Sequence, residues 1–165
     1  MNSDWNSIAD ALRSEIAEYG GLLHRFEQQQ QALFARDADG VLRFSAGIEE
    51  HVRTMHECRA RREELVAGFA ITAGRPASTT LRALVPLFSA EVRPLLEALI
   101  NEVNVLIHRI RRISRHNHKL LTRAVETHQQ TLRALLPDSF TQTYAPNGRS
   151  TLTSNRSNAA LQAAG

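Results

Sequence analysis

The longest unbroken helical pattern in the chain runs from Val92 to Leu135. Its apolar residues recur at Leu96, Leu99, Val103, Leu106, Ile110 and Ile113, and the row continues through Asn117, Leu120 and Ala124. Steps of three and four residues make a heptad seam, and Asn117 places one amide where an apolar a residue belongs. As a buried amide Asn117 would set register; as an exposed polar break it would meet a partner. A second row, Leu95, Ile100, Ile107, Leu121, Val125 and Leu132, widens the face beyond that of a two-stranded coil. A face this broad suits a helix that touches two neighbours. These 44 residues would span roughly 65 Å as a helix, which predicts an elongated molecule.

Two further helical patterns precede this one. Ser3 and Asp4 are candidate N-caps for a helix over 4–36 on the seam Trp5, Ile8, Leu12, Ile16, Tyr19, Leu22, Phe26 and Leu33. Gly20-Gly21 falls in its middle, where each glycine costs about 1 kcal/mol relative to alanine. The pair is either a tolerated flaw with a slight bend or the mark of a close helix crossing or hinge. Asp37 or Asp39 can cap a second helix over 40–73, whose seam Val41, Phe44, Ile48 and Met55 is interrupted by His51, Cys58 and Arg62. The short connection forces an antiparallel hairpin. Gly74 and Pro76 break the pattern, and Ser78 or Thr79 can cap a short bent segment over 79–86 before the long helix of about 91–136.

Beyond Pro137 the chain turns polar, and residues 137–165 cannot bury enough apolar surface to offset their ordering entropy. The predicted architecture is therefore all-α: an elongated antiparallel bundle of three long helices with a flexible C-terminal tail. Phe140 and Tyr144 stand alone in that tail, Tyr144 beside a Pro-Asn-Gly turn, in the form of a short linear motif with an aromatic anchor. Phe140 folding back on the bundle end is the plainer alternative.

Composition narrows the function classes. Aromatics are 5% of residues, too few for a β-sandwich and in keeping with an Ala/Leu/Arg/Glu/Gln helical chain. One cysteine, Cys58, excludes an internal disulfide and a CxxC knuckle, and its seam position is that of a small apolar filler. No signal peptide and no apolar run long enough to span a membrane is visible, so a cytoplasmic protein without membrane insertion is expected. Residues 1–74 carry 8 Arg against 12 Asp/Glu, net −4, while residues 75–165 carry 12 basic against 5 acidic residues, net +7. An acidic hairpin packed beside a basic helix follows naturally.

Chemistry is not apparent. No Glu-x-x-His, HExxH, GxSxG or Gly-rich phosphate loop occurs, and His56 and Cys58 lie two apart, on opposite sides of a helix. No enzyme activity, metal or cofactor is expected. The basic run Arg109, Arg111, Arg112, Arg115, His116, His118, Lys119 and Arg123 is the best case for nucleic acid. Its charges spread around the helix and no aromatics interleave, so a solvated surface paired with the acidic hairpin is the preferred reading, without nucleic acid.

Several residues resemble one family across nearly the whole chain. Leu22-Leu23, Glu27 or Gln28, Ala32-Leu33, Asp37 and Leu42 are similar to the LL…E..AL…D…L pattern of the FlgN family of flagellar type III export chaperones. Arg61 or Arg62 resembles its late helix-two arginine, although a lysine that the pattern has near Glu49 or Glu50 is absent. Asn117 to Leu121 resembles its N-x-x-L-L, and Tyr144 to Gly148 its Tyr-x-x-x-Gly.

The resemblance implies a cytoplasmic chaperone of the hook-associated proteins of the hook–filament junction. Such a protein keeps these subunits from assembling early and brings them to the export apparatus. It implies docking on the cytoplasmic domain of the export gate protein through Tyr144, with Phe140 and Gly148 beside it, and an export ATPase-complex escort protein as a further partner. A client's amphipathic helix would lie in a groove between helices, with Ile107, Asn117, Leu121, Val125 and Leu132 as candidate client-binding residues. Ordinary bundle core is the alternative for each. A structural coiled-coil adaptor and a basic nucleic-acid binder are the competing functions.

Overall fold

The computed structural model describes residues 2–135, 140–144 and 150–154. The elements are α1 (Asn2–Ala35), α2 (Ala38–Thr72), α3 (Leu81–Leu84), a 3-10 turn over Val85–Leu87, α4 (Arg93–Leu135), β1 (Phe140–Tyr144) and β2 (Ser150–Ser154). Among the described residues the chain is overwhelmingly helical, with four α-helices where three long ones and a short bent segment were expected. It divides into two units, Met1–Lys119 and Leu120–Gly165.

In the first unit, backbone chemistry fixes the α1–α2 turn. Arg36 takes a left-handed conformation (φ 57°) where glycine is usual. The Asp37 N–H donates to the Ala32 carbonyl at 2.9 Å and the Arg36 N–H to the Leu33 carbonyl at 3.3 Å, a Schellman closure. Asp37, not Asp39, caps α2: its carboxylate accepts from the Gly40 N–H at 2.9 Å. Ser3 and Asp4 lie inside α1, which starts at Asn2. At the far end of α2 the same closure recurs with Gly74 (φ 69°), Arg75 N–H donating to the Ala70 carbonyl at 2.8 Å. The short segment is capped by Thr80, just beyond the expected Ser78 or Thr79, and Pro86 follows in the 3-10 turn. Arg93 then ties the loop down, its guanidinium donating to the carbonyls of Phe88 (2.9 Å) and Pro86 (2.8 Å).

The ion pair Glu15–Arg62, the contact Glu18–His51 and the bond Gln29–Ser45 show α1 and α2 running antiparallel. Phe69 of α2 stacks on Phe88 before α4, ring centroids 4.3 Å apart, so α4 starts at the α2 C-terminal end. It reaches Gln29 and Gln30, near the end of α1, at Asn117. One apolar core joins the three long helices and the short segment, with Ile8, Leu12, Leu84 and Leu96 almost fully buried at its centre.

The second unit contains the α4 residues 120–135 and the two strands. Within the segment read as flexible from its composition, β1 pairs antiparallel with β2, Phe140 opposite Ser154 and Tyr144 opposite Ser150. Thr, Phe and Tyr favour the extended backbone, and the polar composition concealed that preference.

Candidate functional site

Three helices of the first unit are pinned to one register by a chain of side-chain hydrogen bonds. Asn117 of α4 is 3% exposed. Its amide nitrogen donates to the Phe26 carbonyl at 2.8 Å and to Gln29 Oε1 at 2.9 Å, and its oxygen accepts from Gln30 Nε2 at 3.1 Å. Gln29 Nε2 donates in turn to Ser45 Oγ of α2 at 2.9 Å, and Ser45 Oγ donates to the Val41 carbonyl at 2.7 Å. A buried amide with every polar atom engaged is stabilising in one register and costly in any other.

A second polar patch lies between α1 and α2. Glu15 is fully buried, with Arg62 Nε 2.6 Å from Oε2, an ionic contact out of line for a hydrogen bond. Burial first, and then the Glu15 carboxylate, push the Tyr19 hydroxyl above its ordinary 10.0. Burial, followed by the carboxylate of Glu18, raises the Cys58 thiol. His51 Nε2 lies 2.9 Å from Glu18 Oε2, while its Nδ1 accepts from Arg25 Nε at 3.1 Å. A Cβ on Gly21 would come within 2.7 Å of the His51 ring, so the close-crossing reading holds for Gly21; Gly20 faces open space.

The predicted site residues separate into three groups. Ile107 is half-buried and packs on the core, and Asn117 is committed to α1. Leu121, Val125 and Leu132, at 39%, 48% and 45% exposure, stand together on one face of α4, with Leu135 at 70% beside them. Phe140 and Tyr144 belong to β1, while their side chains, and Gly148 entirely, lie outside the described residues.

Sequence reasoning missed a cleft of about 430 Å³ between α1 and α4, lined by Leu23, Glu27, Gln30, Arg109, Arg112, Ile113 and His116. Here the basic residues do line one side of α4. Arg109 and Arg112 are exposed and, among the described residues, make no ion pair, so the expected pairing with the acidic hairpin is not formed there. The signal was their spacing, three and then four residues to His116, which composition counts overlook. Among the described residues no cluster of three or more His, Cys, Asp or Glu could hold a metal, and no helix is long and apolar enough to cross a membrane.

The family model described as FlgN protein matches residues 1–151. The chain belongs to the FlgN family. It is therefore a chaperone of flagellar protein export, a role that needs binding surfaces and not a reaction centre. No curated protein and no solved structure gives a significant match. For a FlgN chain, the relevant features are the exposed apolar row of α4 and the cleft beside α1.

Proposed function

We propose that this FlgN-family chain acts in the cytoplasm, binds hook-associated proteins, masks their amphipathic terminal helices and delivers them to the flagellar type III export apparatus. The observation that carries the reading is the apolar row Leu121, Val125 and Leu132, which the fold leaves exposed on one helix face. An amphipathic helix is the complement of such a row, its own i, i+3, i+4, i+7 stripe covering it. The first unit is an antiparallel three-helix arrangement in this reading. Ile107, packed on the core of the first unit, and Asn117, bonded to α1, are not offered to the client in this reading.

Export-gate docking is assigned to Tyr144, with Phe140 and Gly148 as neighbours, on the cytoplasmic domain of the export gate protein. The escort protein of the export ATPase complex is a further partner in the same pathway. Separating the two tasks tests the reading. Tyr144→Ala should leave hook-associated proteins co-purifying with the chain while weakening gate binding. Loss of client binding in that variant would place Tyr144 in the fold or the client site and refute the division of labour.

A further inference from the structure

The α1–α4 cleft of the first unit has walls of unlike charge. On the α4 side Arg109, Arg112 and His116 line the cleft, and Lys119 continues the row beyond it, at intervals of three, four and three residues. On a helix turning 100° per residue, they fall within an arc of about 80°. All four are exposed. Arg109, Arg112 and Lys119 make neither a hydrogen bond nor an ion pair among the described residues. Gln30 Nε2 lies 2.8 Å from His116 Nδ1, within hydrogen-bonding distance. On the α1 side, half-buried Glu27 forms the facing wall, and Leu23 and Ile113 supply apolar lining.

Solvated arginines on a helix surface are common and need no partner. Here they flank a cleft that Leu23 and Ile113 also line, and they remain unpaired. Their alternation of three- and four-residue steps matches a side-chain row on a neighbouring helix, as in the flanking charges of a coiled coil. A nucleic-acid strand fits less well. Glu27 would oppose a polyanion, and no Phe, Tyr or Trp is among the cleft-lining residues.

We infer that this cleft seats an amphipathic helix of the client protein, apolar edge on Leu23 and Ile113, with Asp or Glu residues at three- and four-residue spacing facing Arg109, Arg112 and Lys119. The inference rests on the chaperone reading above and adds to it a second contact with the client, apart from the exposed row Leu121, Val125 and Leu132, and the charge of the helix bound there. A basic residue on the helix's other flank answers Glu27. Exposed pairs of this kind contribute little each, but they speed encounter and reject helices with the wrong charge pattern.

The test titrates an intact hook-associated protein into the full chain, comparing wild type with the double reversal Arg109→Glu/Arg112→Glu. At about 0.05 M salt the reversal should weaken binding at least about 10-fold, two attractive pairs having become repulsive. The gap should narrow at about 0.5 M salt, where the screening length is only a few Å. Arg109→Gln/Arg112→Gln, which removes charge without reversing it, should show a smaller loss and guards against misfolding of the reversal. Wild-type binding with both variants equally tight overturns the inference and leaves the chaperone reading standing. Failure of wild type to bind any hook-associated protein removes the chaperone reading and the inference with it. If the reversal abolishes self-association or oligonucleotide binding while client affinity is unchanged, the cleft belongs to that other occupant and the inference is wrong.

Discussion

The Asn117 amide of α4 donates to the Gln29 side-chain carbonyl of α1 across 2.9 Å, and both residues are buried. Replacing Asn117 by alanine leaves the Gln29 oxygen without its donor and the Gln30 amide without one of its acceptors. The expected cost is about 2–3 kcal/mol of unfolding free energy, from stranded buried polar groups. In a double-mutant cycle with Gln29→Ala, the coupling should be about 1 kcal/mol, read from urea unfolding. Additive losses would show that the two side chains act independently.

The adjacent glycines of α1 should respond in opposite directions. Gly20→Ala meets nothing within 4 Å and should stabilise the protein by about 0.5–1 kcal/mol through helix propensity. Gly21→Ala brings a Cβ within 2.7 Å of the His51 ring, which Glu18 and Arg25 hold in place. Its net effect should be a loss of about 1–2 kcal/mol from overpacking. Thermal melts of the two single variants, with shifts of opposite sign, check this.

How far the chain could be read ahead of its coordinates depends on what each pattern encodes. The 3.6-residue periodicity located the helices because it reports one apolar face per element. Gly74 was legible as a stop because only its left-handed backbone is cheap there. Arg36 was not, since a non-glycine in that conformation is held by the Schellman bonds around it and has no signature of its own. Asn117 was readable as a register amide, but Gln29 and Ser45 were not, because polar residues on a seam look the same whether paired or solvated. For the candidate site, periodicity marks Ile107 and Leu121 alike as apolar positions. Whether each is covered depends on neighbours far along the chain, which no local pattern contains.

Glu15 and Arg62 form a buried pair, and removing one partner should cost more than removing both. Arg62→Ala leaves the fully buried Glu15 carboxylate without its cation and should cost about 3 kcal/mol. Glu15→Leu with Arg62→Leu should return stability to within about 1 kcal/mol of wild type. Denaturant midpoints of the two variants distinguish these outcomes, and a double variant weaker than Arg62→Ala would contradict them.

Alkaline stability should depend on Tyr19. Because burial and Glu15 raise its folded-state pKa above 10.0, the neutral hydroxyl is favoured by folding. The stability it contributes is complete below the unfolded value of 10.0 and is lost as pH climbs through the higher folded value. Tyr19→Phe should flatten the fall in unfolding free energy above that pH. Equal slopes in variant and wild type would exclude Tyr19 as the source, leaving Cys58, also raised, as the next group to replace.

The chaperone account turns on whether the exposed apolar row of α4 carries the client. Isothermal titration of a purified hook-associated protein into the wild-type chain and into Leu121→Ser/Val125→Ser/Leu132→Ser measures this directly. The account predicts a defined complex for wild type and at least about a 10-fold weaker one for the triple variant, three half-exposed apolar side chains having left the interface. Equal affinity for both chains, or no binding by wild type, would contradict it.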